Sequence, residues 1–591
     1  MRRQATRRVV TNKMLVAPVG GLNGINALAD MPPTDAITLT NWFPRVSDVI
    51  TRQGYTSQAT GMTGAVETLM AYRTSTQKLF AIASGSVYDV TSVGAVGAAV
   101  VTGRANSRWQ YVNFGTPGGR FLYAVNGADY PLLYDGTTWL NVGTGTGAVI
   151  STITFVGTTA TVTTATPHGL VNGSTVTVTV TGAAPAPYNV TAVPINVLSS
   201  TTFTYTMGST PATNATTPGA FTYTPGIAGV DPRLLINCDA INSRMWFVEK
   251  NSTRAWYLPL NSISGTAQSL DFASLAKLGG NLAGVFGWTQ ASAFGLQNSN
   301  LTVFVTTEGE VFVYSGYDPT NAATWSLAAR GRIGAPAGNR FWLRLGTDVV
   351  IVSRDGVVNL SKALQIDRFT ESTSSSYKII NLISTDMSAY NLNFGWQLQQ
   401  YPLGGMLIVN VPETENGIAH QYIMNTINGA WARYTGLNAN CFDYISDKLY
   451  FGGNNGTVYR AETGYADNGN PITSIAQQAF TFLDDPGSPK RFTALRPITK
   501  TATNAVLTMD LSVDFDARTP TSQPSLGVAG APLLWPFVWG SAWSNTIINS
   551  RRLQYASGVG YAASVTATAV TNGAPLSWQA TDVLYERGSG F

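Results

Sequence analysis

The chain repeats one pattern of apolar and polar positions: a short apolar strand, a tight turn rich in Gly, Asn and Asp, and a second strand carrying aromatic or aliphatic residues. Such period-two runs bounded by turn residues predict antiparallel β-hairpins. Successive hairpins begin 42, 124, 57, 47, 57 and 42 residues apart. The seven hairpins begin at Lys78, Arg120, Arg244, Leu301, Asp348, Gly405 and Asp447.

This spacing predicts an all-β fold built on a β-propeller. Units of roughly 40–57 residues, each contributing an antiparallel hairpin, are typical of propeller blades. A single blade cannot bury both of its faces, so the blades must stack in a ring. We expect about seven hairpin blades, with ring closure able to borrow a strand from one terminus.

The one long interval between hairpins contains residues 146–226, which have a different character. The stretch "TATVTTATPHGLVNGSTVTVTVTG" alternates Thr with Val, and "YNVTAV" and "TTFTYTM" follow it. A sheet with one polar and one apolar face predicts a small inserted β-barrel. The predicted domains are an N-terminal extended strap (1–60), propeller blades in two parts (61–145 and 227–470), the inserted barrel (146–226) and a C-terminal antiparallel β platform domain (471–591).

The C-terminal region alternates strictly from Ala505 to Asp516. This alternation predicts a strand whose two faces differ, because successive side chains of a strand point to opposite faces. One helix is predicted near residues 375–391. The predicted apolar face of the strand carries Leu507, Met509, Leu511, Val513 and Phe515, and the polar face carries Thr508, Asp510, Ser512, Asp514 and Asp516.

Composition narrows the class of protein. Of 591 residues, 44% are apolar and only 12% are charged, with a net charge of +4; about 25% charged is ordinary for a soluble domain. A large, weakly charged, aromatic-rich chain fits an all-β protein that buries much of its surface in an assembly. No signal-peptide apolar core follows the N-terminal arginines, and no run reaches the ~18 apolar residues of a membrane helix. We therefore expect synthesis in a cytoplasm and no stable membrane insertion.

The residues suited to catalysis or metal binding are few. Cys238 and Cys441 stand far apart in apolar contexts, which predicts two reduced core thiols. With only His168 and His420, a Cys/His zinc set is not expected. His168 fits a turn better than a ligand, and no nucleophile motif accompanies His420 as a general base. The stretch "YDGTTW" loosely matches a fold-stabilising Asp-box turn. We expect no enzyme activity, no cofactor and no metal.

Three further clusters each allow two interpretations. Asp510, Asp514 and Asp516 suggest calcium, but residues two apart on a strand are about 7 Å apart, which favours a solvated face. Trp-rich residues 531–543 suit either a membrane interface or packing within or between subunits, and packing is favoured. The N-terminal arginines either contact DNA phosphate or an acidic partner, or form a solvated tip. The residues of the last two clusters are Trp535, Trp539 and Trp543, and Arg2, Arg3, Arg7 and Arg8.

Both ends of the chain resemble one protein family. "GGLNGINALADMPPTDAITLTNWFPRVSDVITRQGY" near the start and "SVTATAVTNGAPLSWQATDVLYERGSGF" at the end are similar to the tail hub (nozzle) proteins of short-tailed, podovirus-like bacteriophages. The resemblance implies a homohexameric tube below the portal and its adaptor ring, in contact with tail fibres, spikes or a tip plug. It implies a structural virion protein that retains packaged double-stranded DNA and conducts it during ejection. The inserted barrel departs from the family's minimal pattern.

The stretch from Gly20 to Pro44 is then interpreted as an extended strap. Its prolines stiffen the chain and remove amide donors, and its Asn and Asp residues favour local turns. We expect Leu39, Trp42 and Phe43 to pin the strap to the propeller or to a neighbouring subunit.

Two alternatives to the tail protein remain open on the sequence. One is a monomeric propeller that binds or cleaves carbohydrate at a host surface, which needs paired carboxylates or a ring of aromatics. The other is a scaffold module without a channel.

Overall fold

Seven antiparallel sheets succeed one another along the chain and form the blades of a β-propeller. The structure is a computed structural model. Each of the seven predicted hairpins is a pair of adjacent strands in one blade, so this prediction is confirmed. The structure describes residues 10–143, 145–166, 168, 177–199, 201–224, 226–291, 298–364, 374–501, 505–516, 526–527, 548–550 and 553–588.

The blades are numbered here in chain order. Within the described residues, blades 1 and 5 have three strands and the others have four. The strands are Val66–Tyr72, Lys78–Ala83 and Ser86–Asp89 (blade 1); Gln110–Thr116, Gly119–Val125, Leu132–Tyr134 and Trp139–Asn141 (blade 2); Leu235–Ile241, Arg244–Glu249, Arg254–Tyr257 and Gln268–Asp271 (blade 3); Leu282–Ala291, Asn298–Thr306, Glu310–Ser315 and Ser326–Arg332 (blade 4); Trp342–Leu345, Asp348–Ser353 and Gly356–Asn359 (blade 5); Gln397–Tyr401, Met406–Pro412, Ala419–Asn425 and Trp431–Thr435 (blade 6); and Ala439–Ile445, Lys448–Gly453, Val458–Ala461 and Tyr55–Thr60 (blade 7).

Tight turns hold the blade hairpins in register. Asn242 and Ser243 have φ of +50° and +58°, and Ser446 and Asp447 have φ of +51° and +58°. A two-residue loop with positive φ at both positions has the type I′ geometry, whose twist matches that of the strands it joins. Asn, Asp and Gly tolerate this backbone region best, so the turn residues in the sequence signal the hairpins directly.

The ring of blades is closed by a strand from near the N-terminus. The first strand of each blade contacts the next blade around the ring, and Ala439–Ile445 of blade 7 contacts Val66–Tyr72 of blade 1. Tyr55–Thr60 pairs antiparallel with Val458–Ala461 and completes blade 7. The short strand Gly94–Ala95 extends this blade by pairing in parallel with Tyr55–Thr60. Joining the two ends of the ring in one sheet removes an open edge.

The insertion between blades 2 and 3 is a curved sheet. Its core contains Val162, Val178, Phe203 and Phe221, and this core is continuous with those of the two flanking blades. A short 3₁₀ helix, Ala186–Tyr188, precedes one strand. In sheet order the strands are Gly145–Thr146, Ala220–Thr224, Thr177–Thr181, Val190–Val197, Thr202–Thr206, Thr159–Thr164 and Ile150–Val156.

The described C-terminal residues form two sheets that pack on each other. The first sheet continues blade 6: its order runs from Trp431–Thr435 through Asp35–Thr40, Ile472–Gln478, Ala563–Thr571 and Ala505–Val513 to Leu526–Gly527, and Gly21–Leu22 pairs beside Asp35–Thr40. The second sheet contains Val10–Val16, Trp42–Pro44, Val49–Thr51, Lys490–Thr501, Ile548–Ser550, Gln554–Gly560 and Leu576–Arg587.

The predicted apolar face of the 505–516 strand is correct only in part. Leu507, Met509 and Leu511 are buried. The strand ends at Val513, because the next two residues, one of them Phe515, have positive φ. Phe515 therefore lies in a turn, where it packs against Phe480.

Helices within the described residues are short. Ile380–Tyr390 is an α-helix preceded by the 3₁₀ turn Tyr377–Ile379, which confirms the helix predicted near residues 375–391. Leu360–Ala363 forms one further α-helical turn, and Pro232–Leu234 forms a 3₁₀ turn. Among the described residues, no helix has the length and apolar character needed to cross a membrane.

Candidate functional site

The N-terminal strap, residues 10–60, is built into both the propeller and the C-terminal sheets. Val10–Val16 pairs antiparallel along Leu576–Arg587. Asp35–Thr40 pairs with Ile472–Gln478 on one side and, at Thr40, with blade 6 on the other. The strap is therefore made of strands at several points, and these strands join blade 6 to the C-terminal domain in one continuous sheet.

The three expected strap anchors are buried within the same chain. Leu39 and Trp42 are 1% and 0% exposed and belong to the main core. The Trp42 ring meets Trp578 edge to face, with 6.1 Å between the ring centres. Phe43 is 8% exposed and packs in a second core together with Tyr434 of blade 6. The anchors thus attach the strap to two different hydrophobic cores.

Polar residues of the strap make local turns and then reach distant parts of the chain. The Asn23 side-chain oxygen accepts hydrogen bonds from the backbone N–H groups of Ile25 and Asn26. Its amide donates to Asp35 over 2.8 Å, and Lys378 pairs with the same carboxylate over 2.8 Å. These contacts tie the strap to the turn that precedes the second helix.

Arg52, a residue of the strap, forms a buried ion pair with Asp467. Its side chain is 1% exposed, and its two terminal nitrogens donate to the two Asp467 oxygens over 2.8 and 2.6 Å. Arg52 Nε donates to Asn41 Oδ1, and further bonds reach the carbonyls of Gln53 and Thr435. Bidentate geometry with satisfied remaining donors is the arrangement in which a buried pair is stable.

A cavity of about 430 Å³ lies against this ion pair. We call it the strap cavity. Its walls come from the strap, from blades 6 and 7 and from the segment that follows the blade 7 strand Val458–Ala461. The wall residues important here are Phe43, Tyr401, Tyr434, Glu462 and Tyr465.

Glu462 is the unusual residue of the strap cavity. Its backbone has φ of +53°, which is rare and strained for a residue other than Gly, Asn or Asp. Among the described residues, no hydrogen bond or close ion pair reaches its carboxylate. Burial raises the pKa of Glu462 from 4.5 to about 7, although the nearby Arg52 charge acts in the opposite direction.

The raised pKa of Glu462 predicts a pH-dependent cost to stability. A carboxyl whose pKa is higher in the folded state takes up a proton on folding, so its cost is absent below about pH 4.5 and grows as the pH rises to about 7. We expect Glu462→Gln to remove this cost, so that the variant is more stable than wild type by about 2–3 kcal/mol at pH 8 and equally stable near pH 4.5. Urea unfolding at several pH values measures the difference, and a constant difference across pH would contradict the prediction.

A second, smaller cavity of about 140 Å³ lies where the first strands of the blades converge, and we call it the axial cavity. Arg340 fills part of this space and donates to Thr68 Oγ1 over 2.8 Å and to the Trp109 carbonyl over 3.0 Å. Burial lowers the pKa of Arg340. Asp443, also on the wall, pairs with Arg73 over 2.7 Å. The propeller axis is therefore filled by side chains.

The two histidines occupy different environments. His420 is 1% exposed, and its two ring nitrogens lie 2.7 Å from Glu413 Oε1 and 3.0 Å from Asp386 Oδ2. Tyr422 also donates to Asp386. His168 is buried in the inserted domain, edge-on to an aromatic ring, and burial lowers its pKa. His420 of blade 6 thus contacts the helix through Asp386, and Glu413 holds its other ring nitrogen.

Both cysteines are buried and unpaired, as the sequence predicts. Burial raises the pKa of Cys441 to about 12 and that of Cys238 well above its usual value. Because the thiolate is the reactive form, we expect neither thiol to react with a thiol reagent near pH 8 in the native protein and both to react in urea. Counting labelled thiols by mass spectrometry tests this, and a fast native reaction at either position would contradict it.

The remaining sequence candidates carry no site geometry. Asp514 accepts two backbone hydrogen bonds, from Tyr561 and Ala562, and so caps a turn. Among the described residues, no group of three His, Cys, Asp or Glu side chains could hold a metal ion. The N-terminal arginines and the Trp-rich cluster lie outside the described residues. These are Arg2, Arg3, Arg7 and Arg8, and Trp535, Trp539 and Trp543.

Comparison with known proteins finds distant similarity to solved structures. No protein-family model matches the chain, and no curated protein matches it. A solved structure of BBS1N in complex with ARL6DN is 8% identical, covers 70% of this chain and 98% of its own, and has a TM-score of 0.32. Sqt1 from Saccharomyces cerevisiae is 12% identical, covers 69% of this chain and 99% of its own, and has a TM-score of 0.34. The strand pairing defines the class of this chain: a β-propeller protein with an inserted half-barrel and a C-terminal β domain.

Proposed function

We propose that this chain is a structural subunit of a short-tailed phage tail, the hub or nozzle below the portal and adaptor ring. Copies of it would form a ring, as a homohexamer, that retains packaged DNA and conducts it during ejection. It would be made in the host cytoplasm and end in the virion tail, next to fibres, spikes or a tip plug. The observation that carries the proposal is the strap, whose sequence bears the family resemblance and whose strands bind the propeller to the C-terminal domain.

The strap supports a structural role because its strands connect the propeller to the C-terminal domain at several points. Strands Val10–Val16 and Asp35–Thr40 are hydrogen-bonded to C-terminal strands, and Tyr55–Thr60 is hydrogen-bonded to blade 7. Pulling the propeller away from the C-terminal domain would require these ladders to break together. A tube that holds DNA under pressure needs such a connection, whereas a flexible linker between the two domains would not provide it.

The filled propeller axis determines where DNA would pass. The axial cavity measures about 140 Å³ and is occupied in part by Arg340. A space of this size holds a few water molecules, not a duplex. In this proposal the DNA channel therefore lies on the common axis of the ring of copies, outside each propeller.

The outer face of the second C-terminal sheet supports assembly. Cross-strand neighbours share a face, and the register places Val10, Glu586, Arg491 and Val559 in one row across four strands. Val10 and Val559 are 51% and 71% exposed, and Tyr555 in the next row is 72% exposed. Exposed apolar side chains gathered on one sheet face are typical of a protein–protein contact.

Electron microscopy of the purified protein, or of the parent particle, tests the proposal. We expect six-fold rings with an open axial channel, and sedimentation at increasing concentration should show the assembled species if the chain assembles alone. The adaptor ring, added as a template, covers the case in which assembly needs it. Monomers in the presence of the adaptor, together with binding or cleavage of a polysaccharide, would overturn the proposal in favour of a carbohydrate-directed propeller.

A further inference from the structure

The strap cavity contains a negative charge that the chain does not neutralise. Arg52 lines the cavity, but its charge is taken up by the bidentate pair with Asp467. Arg45 also lines it and pairs with Asp48 over 2.5 Å. Glu462 has no such partner among the described residues. Both arginines thus have carboxylate partners of their own. The Arg52 charge still acts on Glu462 from a distance, but among the described residues no cation contacts the Glu462 carboxylate.

Aromatic rings surround this carboxylate. Tyr401 and Tyr434 are 6% and 2% exposed and line the same cavity as Tyr465 and Phe43. Burial, and after it the Glu462 charge, raises the pKa of Tyr401, Tyr434 and Tyr465. All three tyrosines thus lie close enough to Glu462 to sense its charge.

Glu462 is held in the cavity wall at a cost. Its backbone has φ of +53°, which is strained for this residue. A carboxylate left without a partner in a partly buried position also costs free energy. A cavity that keeps a charged group in this state has the properties of a binding site without its ligand bound.

We propose that the strap cavity binds an alkylammonium group, with Glu462 as counter-ion and the rings of Tyr401, Tyr434 and Tyr465 as walls. The negative faces of aromatic rings attract a cation within about 6 Å, and desolvation strengthens this attraction. A carboxylate inside such a cage supplies the opposite charge. This inference rests on the cavity and does not depend on the proposed tail function.

The charges on the outer wall of the strap cavity also indicate which kind of ligand fits. Arg460 and Asp447 also line the cavity, and their charges cancel in sum, so they leave Glu462 as the charge that selects the ligand. The Tyr401 hydroxyl donates to the Asp447 backbone carbonyl over 3.2 Å, which fixes the ring. A cation with an apolar alkyl part fits walls that combine four aromatic rings with the aliphatic side chains of Ile50, Leu403 and Met406.

Calorimetric titration of the full chain at about pH 8 tests the proposal with three cations: tetramethylammonium, spermidine and Nα-acetyl-lysine amide. We expect saturable binding of at least one of them, and binding at least about tenfold weaker for the uncharged analogue 3,3-dimethylbutanol. Tightest binding of the lysine amide would assign the cavity to a lysine side chain of another chain, and tightest binding of either other cation would assign it to a free amine. No binding of any cation, or equal binding of the alcohol, would overturn the proposal.

Matched variants locate the site. Glu462→Gln removes the charge and, by its own pH argument, stabilises the fold, so loss of binding in it does not reflect unfolding. We expect at least about a tenfold loss of affinity in Glu462→Gln and little change in Glu308→Gln, which removes an exposed charge of the same sign outside the cavity wall. In wild type, affinity should fall as the pH drops below about 7, because protonation removes the Glu462 charge. An equal loss in both variants would overturn the assignment.

Discussion

Trp42→Ala is expected to lower the free energy of unfolding by about 3–5 kcal/mol, the range for removing a large aromatic side chain from a packed core. Trp42 is fully buried between the propeller and the C-terminal sheets and touches Trp578 edge to face. Its strand, Trp42–Pro44, is held in register with Val49–Thr51, so the backbone there is not free to move into the space that the indole leaves. The loss should therefore lie in the upper part of this range.

The replacement Trp42→Phe separates packing from hydrogen bonding at this position. The Trp42 indole N–H is buried without a partner among the described residues, so Phe removes no hydrogen bond and keeps most of the ring contact. We expect it to cost less than half as much as Ala. Val46→Ala, at a strap position that is 68% exposed, serves as the surface control and should change stability by less than about 0.5 kcal/mol. Urea unfolding followed by circular dichroism compares the variants. A Trp42→Ala effect as small as that of Val46→Ala would show that the strap does not hold the two domains together.

The propeller could be predicted from the sequence because its signals are local. A blade hairpin needs alternating apolar residues and a turn that accepts positive φ, and both are visible within about twenty residues. Ser84 and Gly85, with φ of +45° and +69°, provide such a turn in the hairpin that begins at Lys78. The spacing of these hairpins also locates the insertion, because its strands interrupt an otherwise regular interval.

The long-range pairings could not be predicted in the same way. The alternation of Asp35–Thr40 is weak, and nothing local indicates that it pairs with residues more than 430 positions away. Loop-closure entropy rises only slowly with separation, so the chain can form contacts this distant. The backbone groups that pair there are the same in every residue, and the pairing therefore leaves no signal in the sequence. For Phe515 the sequence predicted a strand position that the structure does not have. The alternating run continues to Asp516 and gives no sign that the strand ends at Val513.

The strap cavity was not predicted because its residues carry no motif. Arg52, Glu462 and Asp467 lie in two stretches, "RQGY" and "AETGYADNG", that resemble ordinary loops. Only the fold brings them together, through the strap and the end of blade 7. One signal could have indicated a buried pair: a charged residue in a stretch that is otherwise poor in charge, such as Arg52 in the strap. A chain with only 12% charged residues makes each such residue worth examining.

Arg52→Met should be the second strongly destabilising change, at about 3–5 kcal/mol near neutral pH, because it leaves a buried carboxylate without its partner. Asp467 loses two hydrogen bonds, and the Asn41, Gln53 and Thr435 oxygens each lose one. The Arg52 charge also holds the pKa of Glu462 below the value that burial alone would give it. Its removal therefore raises that pKa further and steepens the loss of stability as the pH rises from about 4.5.

The double variant Arg52→Met with Asp467→Asn tests whether charge or packing is responsible. It removes both members of the pair, so the uncompensated charge disappears while the lost bonds to the backbone remain. We expect it to be more stable than Arg52→Met alone by about 1–3 kcal/mol at pH 8. With the single variant Asp467→Asn added, the double-mutant cycle gives the interaction energy of the pair. If the two variants were equally unstable at every pH, the contribution of Arg52 would come from its packing and backbone hydrogen bonds, and the ion pair would not be what joins the strap to the end of blade 7.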